Sequence, residues 1–222
     1  MILKRMEVGT LSVNCYIVAD EKTREAAVFD PGGGVKQIIE VLAGDNLTVK
    51  YIFNTHAHFD HVGGNQELQD ATGAPILIHR EEGPGLLAAE ERAALYGFSA
   101  PPSKASRFLE EGDALDLGSI RFGILELRGH SFVGLAYLFE GDADLGGGVK
   151  KHRLLISGDI LFAGSIGRTD FPGGNLKVLL ENIRTKIFTL PDDTIILSGH
   201  GPATTIGRER RFNPFLNNSF RT

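Results

Sequence analysis

The run Tyr51-Ile52-Phe53-Asn54-Thr55-His56-Ala57-His58-Phe59-Asp60-His61 constrains this chain more than any other. A short apolar stretch gives way at once to three histidines and an aspartate within six positions. Folding alone gains little from burying such groups at a strand end. Imidazole and carboxylate are standard ligands for zinc and iron. The HxHxDH spacing suits a loop rather than a helix, on which these side chains would diverge. An irregular turn can bring them onto two adjacent metals.

Three later stretches supply further donors: Leu127-Arg128-Gly129-His130-Ser131, Leu154-Leu155-Ile156-Ser157-Gly158-Asp159 and Ile195-Ile196-Leu197-Ser198-Gly199-His200-Gly201-Pro202. In each, a potential ligand follows a glycine, where the backbone can turn sharply. Strand, glycine, ligand, repeated, predicts several strand ends meeting around one cavity.

These blocks resemble the metallo-β-lactamase superfamily, in particular its glyoxalase II-like branch of hydroxyacylglutathione hydrolases and short single-domain relatives. The likeness runs from Asn14-Cys15-Tyr16 to Asn213-Pro214-Phe215-Leu216. It is carried by Phe29-Asp30-Pro31-Gly32, the block from His56 to His61, Ser157-Gly158-Asp159, Gly167-Arg168-Thr169-Asp170-Phe171 and Gly199-His200-Gly201-Pro202. The resemblance implies a four-layer αββα sandwich, an α/β fold that periodicity alone would not select. One domain over residues 1–222 is expected, of a size that buries a sizeable core. The helical C-terminal domain that helps full glyoxalase II enzymes hold glutathione is expected to be absent.

Composition excludes other classes. A net charge of −5 argues against a nucleic-acid partner. The single cysteine, Cys15, excludes an internal disulfide framework, fits a reducing compartment and reads as a buried structural thiol. The N-terminus lacks the apolar core of a signal peptide, and no stretch reaches membrane-spanning length. A cytoplasmic location is expected.

Patterning predicts strands at 2–8, 13–20, 25–30, 48–54, 75–79, 120–127, 134–140, 153–158 and 194–198. Helices are expected at 35–42, 64–72, 176–188 and 206–211, with a helical patch near 86–96. The segment 80–106 is the least regular and is expected to shape a substrate pocket. The glycine-rich loop from Gly141 to Gly148 should lie at the end of its hairpin opposite the ligands.

By the resemblance, His56, His58 and His130 hold one metal, Asp60, His61 and His200 a second, and Asp159 bridges them. Two divalent ions are implied, zinc first, with iron or manganese as alternatives. The implied reaction is attack of a metal-bridging hydroxide on a thioester carbonyl, with a glutathione-derived substrate such as S-lactoylglutathione. Asp60 and Asp159 are the catalytic carboxylates, although Asp60 also reads as a helix N-cap. Asp30 could simply start a turn, while the resemblance makes it a carboxylate that orients a ligand histidine. Arg168 is a candidate anchor for a substrate carboxylate or a solvated loop arginine. Phe132 and Tyr137 are candidate pocket residues, with packing the favoured reading. His79 reads as a rim, surface or core histidine, and His152 as remote from the metals.

Relatives commonly carry prolines around the third histidine. Here the stretch is Arg128-Gly129-His130-Ser131-Phe132-Val133-Gly134, so a less rigid loop is expected, with Phe132 narrowing the entrance. Two rivals stand beside the hydrolase: a persulfide dioxygenase with one iron on His56, His130 and Asp159, and a non-catalytic metal-binding module.

Overall fold

The computed structural model describes residues 1–144, 146 and 148–217. Strands β1 (Ile2–Val8), β2 (Val13–Ala19), β3 (Glu25–Phe29), β4 (Thr48–Phe53), β5 (Ile76–His79) and β6 (Arg107–Leu109) form one sheet in chain order. The first three pair antiparallel, and β3 to β6 run parallel. The second half contributes β7 (Ala114–Leu117), β8 (Ile120–Leu127), β9 (Gly134–Asp144), β10 (Val149–Gly158), β11 (Leu161–Phe162), β12 (Ser165–Ile166), β13 (Ile195–Ser198) and β14 (Thr204–Thr205). Here β11 and β12 pair with each other, and the others form a sheet of order β14-β13-β10-β9-β8-β7.

Alternation along the strands sorts buried residues to two faces. Cys15, Ile17 and Ala19 of β2 join one core, while Tyr16 and Val18 join another. On β10, Leu154 and Ile156 face the same inter-sheet core and Leu155 faces away. Both faces being apolar, both need cover. Helices α1 (Val35–Gly44), α2 (Phe59–Val62), α3 (Asn65–Thr72), α4 (Gly83–Leu87) and α5 (Ala89–Ala94) lie in the first half. From them Val35, Ile38, Leu42, Leu68, Leu86 and Ala89 pack on the outer face of the first sheet. Helices α6 (Leu176–Thr185) and α7 (Ile206–Phe212) cover the second sheet with Leu179, Ile183 and Ile206. Three cores between four layers make the expected αββα sandwich. Its centre holds Phe29, Phe53, Phe122 and Tyr137, with ring centroids 4.8–5.7 Å apart.

Several boundaries depart from expectation. The patch near 86–96 is two short helices parted at Ala88. The helix expected over 176–188 stops at Thr185, and Ile187–Thr189 forms a 3-10 turn. Leu176, the first residue of the helix predicted there, is 47% exposed. Asn175 caps this helix by accepting from Val178 N at 3.1 Å, so Leu176 is its first residue, ahead of the face buried by Leu179 and Ile183. Strands β6, β7, β11, β12 and β14 were not anticipated. Each has four residues or fewer, too few for a period to show, and exists through its pairing. The β9–β10 hairpin pairs on to Asp144 and Val149, so Gly141 to Asp144 are strand rather than loop. Leu145 and Gly147 of the expected loop lie outside the described residues. No helix among the described residues is long and apolar enough to cross a membrane.

Strand direction gathers the loops of interest at one edge. Phe29 pairs with Phe53 in parallel register, so β3 and β4 end together. Gly158 pairs with Ser198, so β10 and β13 do the same. Leu127 pairs with Gly134, placing the end of β8 and the start of β9 beside them. Bonds between the two sheets close this edge: Leu135 N donates to Thr55 O at 2.7 Å, and Asn14 N to Gly199 O at 2.7 Å.

Candidate metal centre

Each strand end delivers one part of the site. After β4 come His56 and His58, then the one-turn helix α2 with Asp60 and His61. The block is thus half loop and half helix, not loop throughout. His58 is the N-cap residue of α2, without a side-chain cap bond, so the cap reading of Asp60 does not hold. His130 follows β8, Asp159 follows β10 and His200 follows β13.

The three imidazoles His56, His58 and His130 converge. His56 Nε2 lies 2.9 Å from His58 Nδ1 and 3.3 Å from His130 Nε2, and the last pair is 3.0 Å apart. Asp60, His61 and His200 form a second group, with His200 Nε2 3.3 Å from Asp60 Oδ2. Asp159 stands between the groups. Its Oδ1 is 3.4 Å from His61 Nε2, and its Oδ2 is 3.6 Å from His200 Nε2 and 3.8 Å from His130 Nε2.

The far side of the rings determines what faces inward. His130 Nδ1 donates to the carbonyl of Arg168 at 2.8 Å, because a carbonyl can only accept. Its Nε2 therefore turns a lone pair into the cluster. Thr55 Oγ1 donates to Asp30 Oδ2 at 2.7 Å, which leaves the hydroxyl to accept from His56 Nδ1 at 3.0 Å. His61 Nδ1 lies 3.0 Å from Asp30 Oδ2. Asp30 also takes the backbone N–H of Thr55 at 2.7 Å, from a left-handed conformation (φ 49) that aspartate tolerates.

These residues fit a pair of divalent ions. Lone pairs aimed at one another repel unless a cation lies among them. Ligands about 2.0–2.1 Å from one tetrahedral ion stand about 3.3 Å apart, close to the spacing of the three imidazole nitrogens. His61 Nε2 and Asp159 Oδ1 are buried and lack any hydrogen-bond partner. Orphans of this kind are costly unless a ligand takes them up.

Electrostatics divides the cluster. Burial, reinforced by the histidines around it, pushes His56 well below the usual histidine range. Burial and then His130 bring His58 down to about 3. Burial acts the same way on His61, but Asp159, Asp60 and Asp30 overcome it and raise His61 well above that range. Burial opposes ionisation of Asp159, yet His61, His130 and His200 hold it well below the usual carboxylate range. His56 and His58 thus offer neutral donors, whereas at His61 a metal competes with protons, so metal retention should weaken in acid.

Glycine is required where the loops crowd the donors. A Cβ on Gly199 would lie 2.2 Å from Asp159 Oδ1 and 2.7 Å from His61 Cε1, inside the donor cluster. Gly158 turns at φ +52, and a Cβ there would meet Thr55 Oγ1 at 2.5 Å.

Two contacts were missed by sequence reasoning. The buried carboxylate of Glu82 accepts from Ala57 N and from Val133 N, each at 3.0 Å. It joins the His56–His58 loop to the His130 loop. The Arg168 carbonyl is the other, and a backbone atom leaves no residue-type signal. The His130 loop, expected to be less rigid without prolines, is tethered by Glu82, by Asn175 N to Gly129 O at 2.8 Å, and by Arg128 N to Asn182 Oδ1 at 3.2 Å.

The cluster opens onto a cavity of about 450 Å³. Its wall includes His58, Asp60, His130, Asp159 and His200, the apolar Leu11, Phe59, Leu95, Tyr96 and Phe98, and the cations Arg92 and Arg168. The segment 80–106 thus contributes to the pocket, as expected. Tyr137 does not line it. It is fully buried between the sheets, where its hydroxyl donates to Asn54 O at 2.8 Å. Phe132 is 45% exposed and also lies outside the lining. The Arg168 guanidinium is held by Asp170 through two 2.7 Å bonds and lies 3.7 Å from the Phe171 ring centroid, so a substrate carboxylate would have to displace Asp170. His79 is a structural residue: its Nδ1 accepts from Glu81 N, and its Nε2 lies 3.1 Å from Glu126 Oε1. His152 pairs with Gly141 near the opposite end of β10.

The signature of the metallo-beta-lactamase superfamily matches residues 8–200. The chain belongs to that superfamily. Hydroxyacylglutathione hydrolase GloC of Haemophilus influenzae is 35% identical over 231 residues, covering 98% of this chain and 99% of its own. The crystal structure of TTHA1623 in a di-iron-bound form is 36% identical, with a TM-score of 0.81 over 96% of this chain and 100% of the other. ETHE1 from Myxococcus xanthus is 29% identical, with a TM-score of 0.78 over 97% of this chain and 84% of the other. The chain is thus a glyoxalase II-like member of a superfamily of enzymes, generally hydrolases, whose fold binds divalent metals.

Asp30 offers a direct test of how the ligands are held. Asp30→Ala frees His61 Nδ1 and should weaken metal retention about 10- to 100-fold, as loss of an orienting carboxylate usually does. Chelator titration of the loaded protein reads this. Unchanged retention would show that His61 needs no orienting partner.

Proposed function

We propose that the protein is a metal-dependent thioester hydrolase, with S-2-hydroxyacylglutathiones of the S-lactoylglutathione type as its preferred class. The observation that carries this reading is the pair of donor groups sharing Asp159 at the floor of an apolar-walled cavity. The likeness to GloC supports the substrate class. His56, His58 and His130 would hold one ion, Asp60, His61 and His200 the other, and Asp159 both. Bound there, two divalent ions supply Lewis acidity for a carbonyl oxygen and a hydroxide nucleophile at neutral pH.

The chain's own residues prepare the site for that chemistry. Asp30, Thr55 and the Arg168 carbonyl fix the tautomers of His61, His56 and His130, so the donors need no reorganisation on binding. Phe59, Tyr96 and Phe98 form a stacked apolar wall, with Phe59 5.8 Å from Tyr96 and 5.9 Å from Phe98 between ring centroids. This wall suits the acyl and thiol arms of a thioester. The nitrogen and oxygen donors accept zinc, iron or manganese alike. Zinc is our first assignment, and the di-iron form of TTHA1623 supports iron as the alternative.

The likeness to ETHE1 is the observation behind a second reading, a persulfide dioxygenase with one iron on His56, His130 and Asp159. Elemental analysis combined with two assays separates the readings. Two metals per chain and thiol release from S-lactoylglutathione are expected. One iron per chain with oxygen uptake on glutathione persulfide would replace the hydrolase with the dioxygenase.

A further inference from the structure

We infer that Arg92 is the anion anchor of the cavity, and that it selects substrates carrying a carboxylate on the thiol arm. This rests on the thioester reading above and assigns that site a residue for recognition.

Arg92 lies on α5, half-buried, and lines the same cavity as the candidate ligands. Its head group has a defined seat. Nη1 lies 3.3 Å from the point where a Cβ on Gly85 would stand, and that point is 2.6 Å from the Ala57 Cβ. The guanidinium therefore rests over α4, against the link between His56 and His58. The missing side chain at Gly85 is what leaves room for it.

The two cations of the cavity wall differ in what they have left to offer. Arg168 is bidentate with Asp170 and stacked on Phe171, so its charge and its planar fork are already engaged. Arg92 has no side-chain hydrogen bond or ion pair among the described residues. Asp60 and Asp159 share the wall, but they face His61, His130 and His200. A half-buried guanidinium has five N–H donors and a fork that matches a carboxylate. In a chain of net charge −5, such an uncompensated cation beside an apolar wall is a site for an anion. The ligand class that satisfies wall and cation together is an apolar thioester arm ending in carboxylates, as in a glutathione conjugate.

The test is binding of S-hexylglutathione to the metal-loaded protein, measured by calorimetry, so that no turnover is needed. Arg92→Ala should weaken the Kd roughly 10- to 100-fold, the range of a charge-assisted contact. Arg92→Lys should recover part of the loss, because lysine keeps the charge without the fork. Arg168→Ala should weaken binding less than Arg92→Ala. Equal Kd values for the unaltered protein and Arg92→Ala would overturn the inference, as would a larger loss in Arg168→Ala or no measurable binding to the unaltered protein. Binding that depends on Arg92 without thiol release from S-lactoylglutathione would overturn the hydrolase reading while leaving the anchor in place.

Discussion

Asp159→Ala should lower hydrolysis of S-lactoylglutathione by roughly three orders of magnitude or more, the scale seen when a member of a cooperating catalytic unit is removed. Asp159 faces both donor groups, through His130 on one side and His61 and His200 on the other. Its loss leaves those histidines without a shared anion and removes the expected bridge between two ions. Metal content should fall with activity, and elemental analysis of the purified variant reads this directly. A variant that keeps two metals and full activity would remove Asp159 from the mechanism. His152→Ala is the matched control. His152 lies six positions before Gly158 on β10, roughly 20 Å away at the rise of an extended strand. Activity lost in a folded His152→Ala variant would contradict the remote placement of that end of the hairpin.

Glu82→Ala should have the largest effect on stability. Two buried N–H groups, of Ala57 and Val133, lose their acceptor. Each orphaned donor costs about 1–3 kcal/mol, so the expected loss is about 2–6 kcal/mol. That is a large share of the roughly 5–15 kcal/mol that holds an ordinary domain together. Urea unfolding of the metal-free chain reads this term apart from metal binding. Metal affinity should fall as well, because the two loops that Glu82 joins carry His56, His58 and His130. Glu82→Gln should fall between the two, since its amide keeps one acceptor oxygen but turns an N–H donor toward the other backbone N–H. An unfolding midpoint in Glu82→Ala equal to that of the unaltered chain would show that the tie contributes nothing.

Glu82 also marks the limit of reading this chain by sequence. It sits in the segment 80–106, which has no clear period, and its partners lie 25 and 51 positions away. Nothing local distinguishes it from the solvated Glu81 beside it. The same holds for Arg168, where the carbonyl does the orienting while the conspicuous guanidinium is turned to Asp170. Tyr137 lies in the strand just after a ligand loop, and the sequence left it both a pocket reading and the favoured packing one. Strand alternation sends its ring into the inter-sheet core instead.

What the sequence determined by itself was the donor set and the strands that carry it. Each donor block is short and self-contained, most of them an apolar run, a turn and a polar side chain at its end. Such blocks are legible because their chemistry is out of place for folding alone. The tertiary structure alone decided which donors face one another, which ring nitrogen each turns inward, and which of the two cavity-wall arginines is without a partner among the described residues. Those features depend on parallel register between distant strands and on backbone atoms, and neither is written in the identity of any one residue. The short helices and the strands of two to four residues belong with them, because they exist through their packing and pairing rather than through a period of their own.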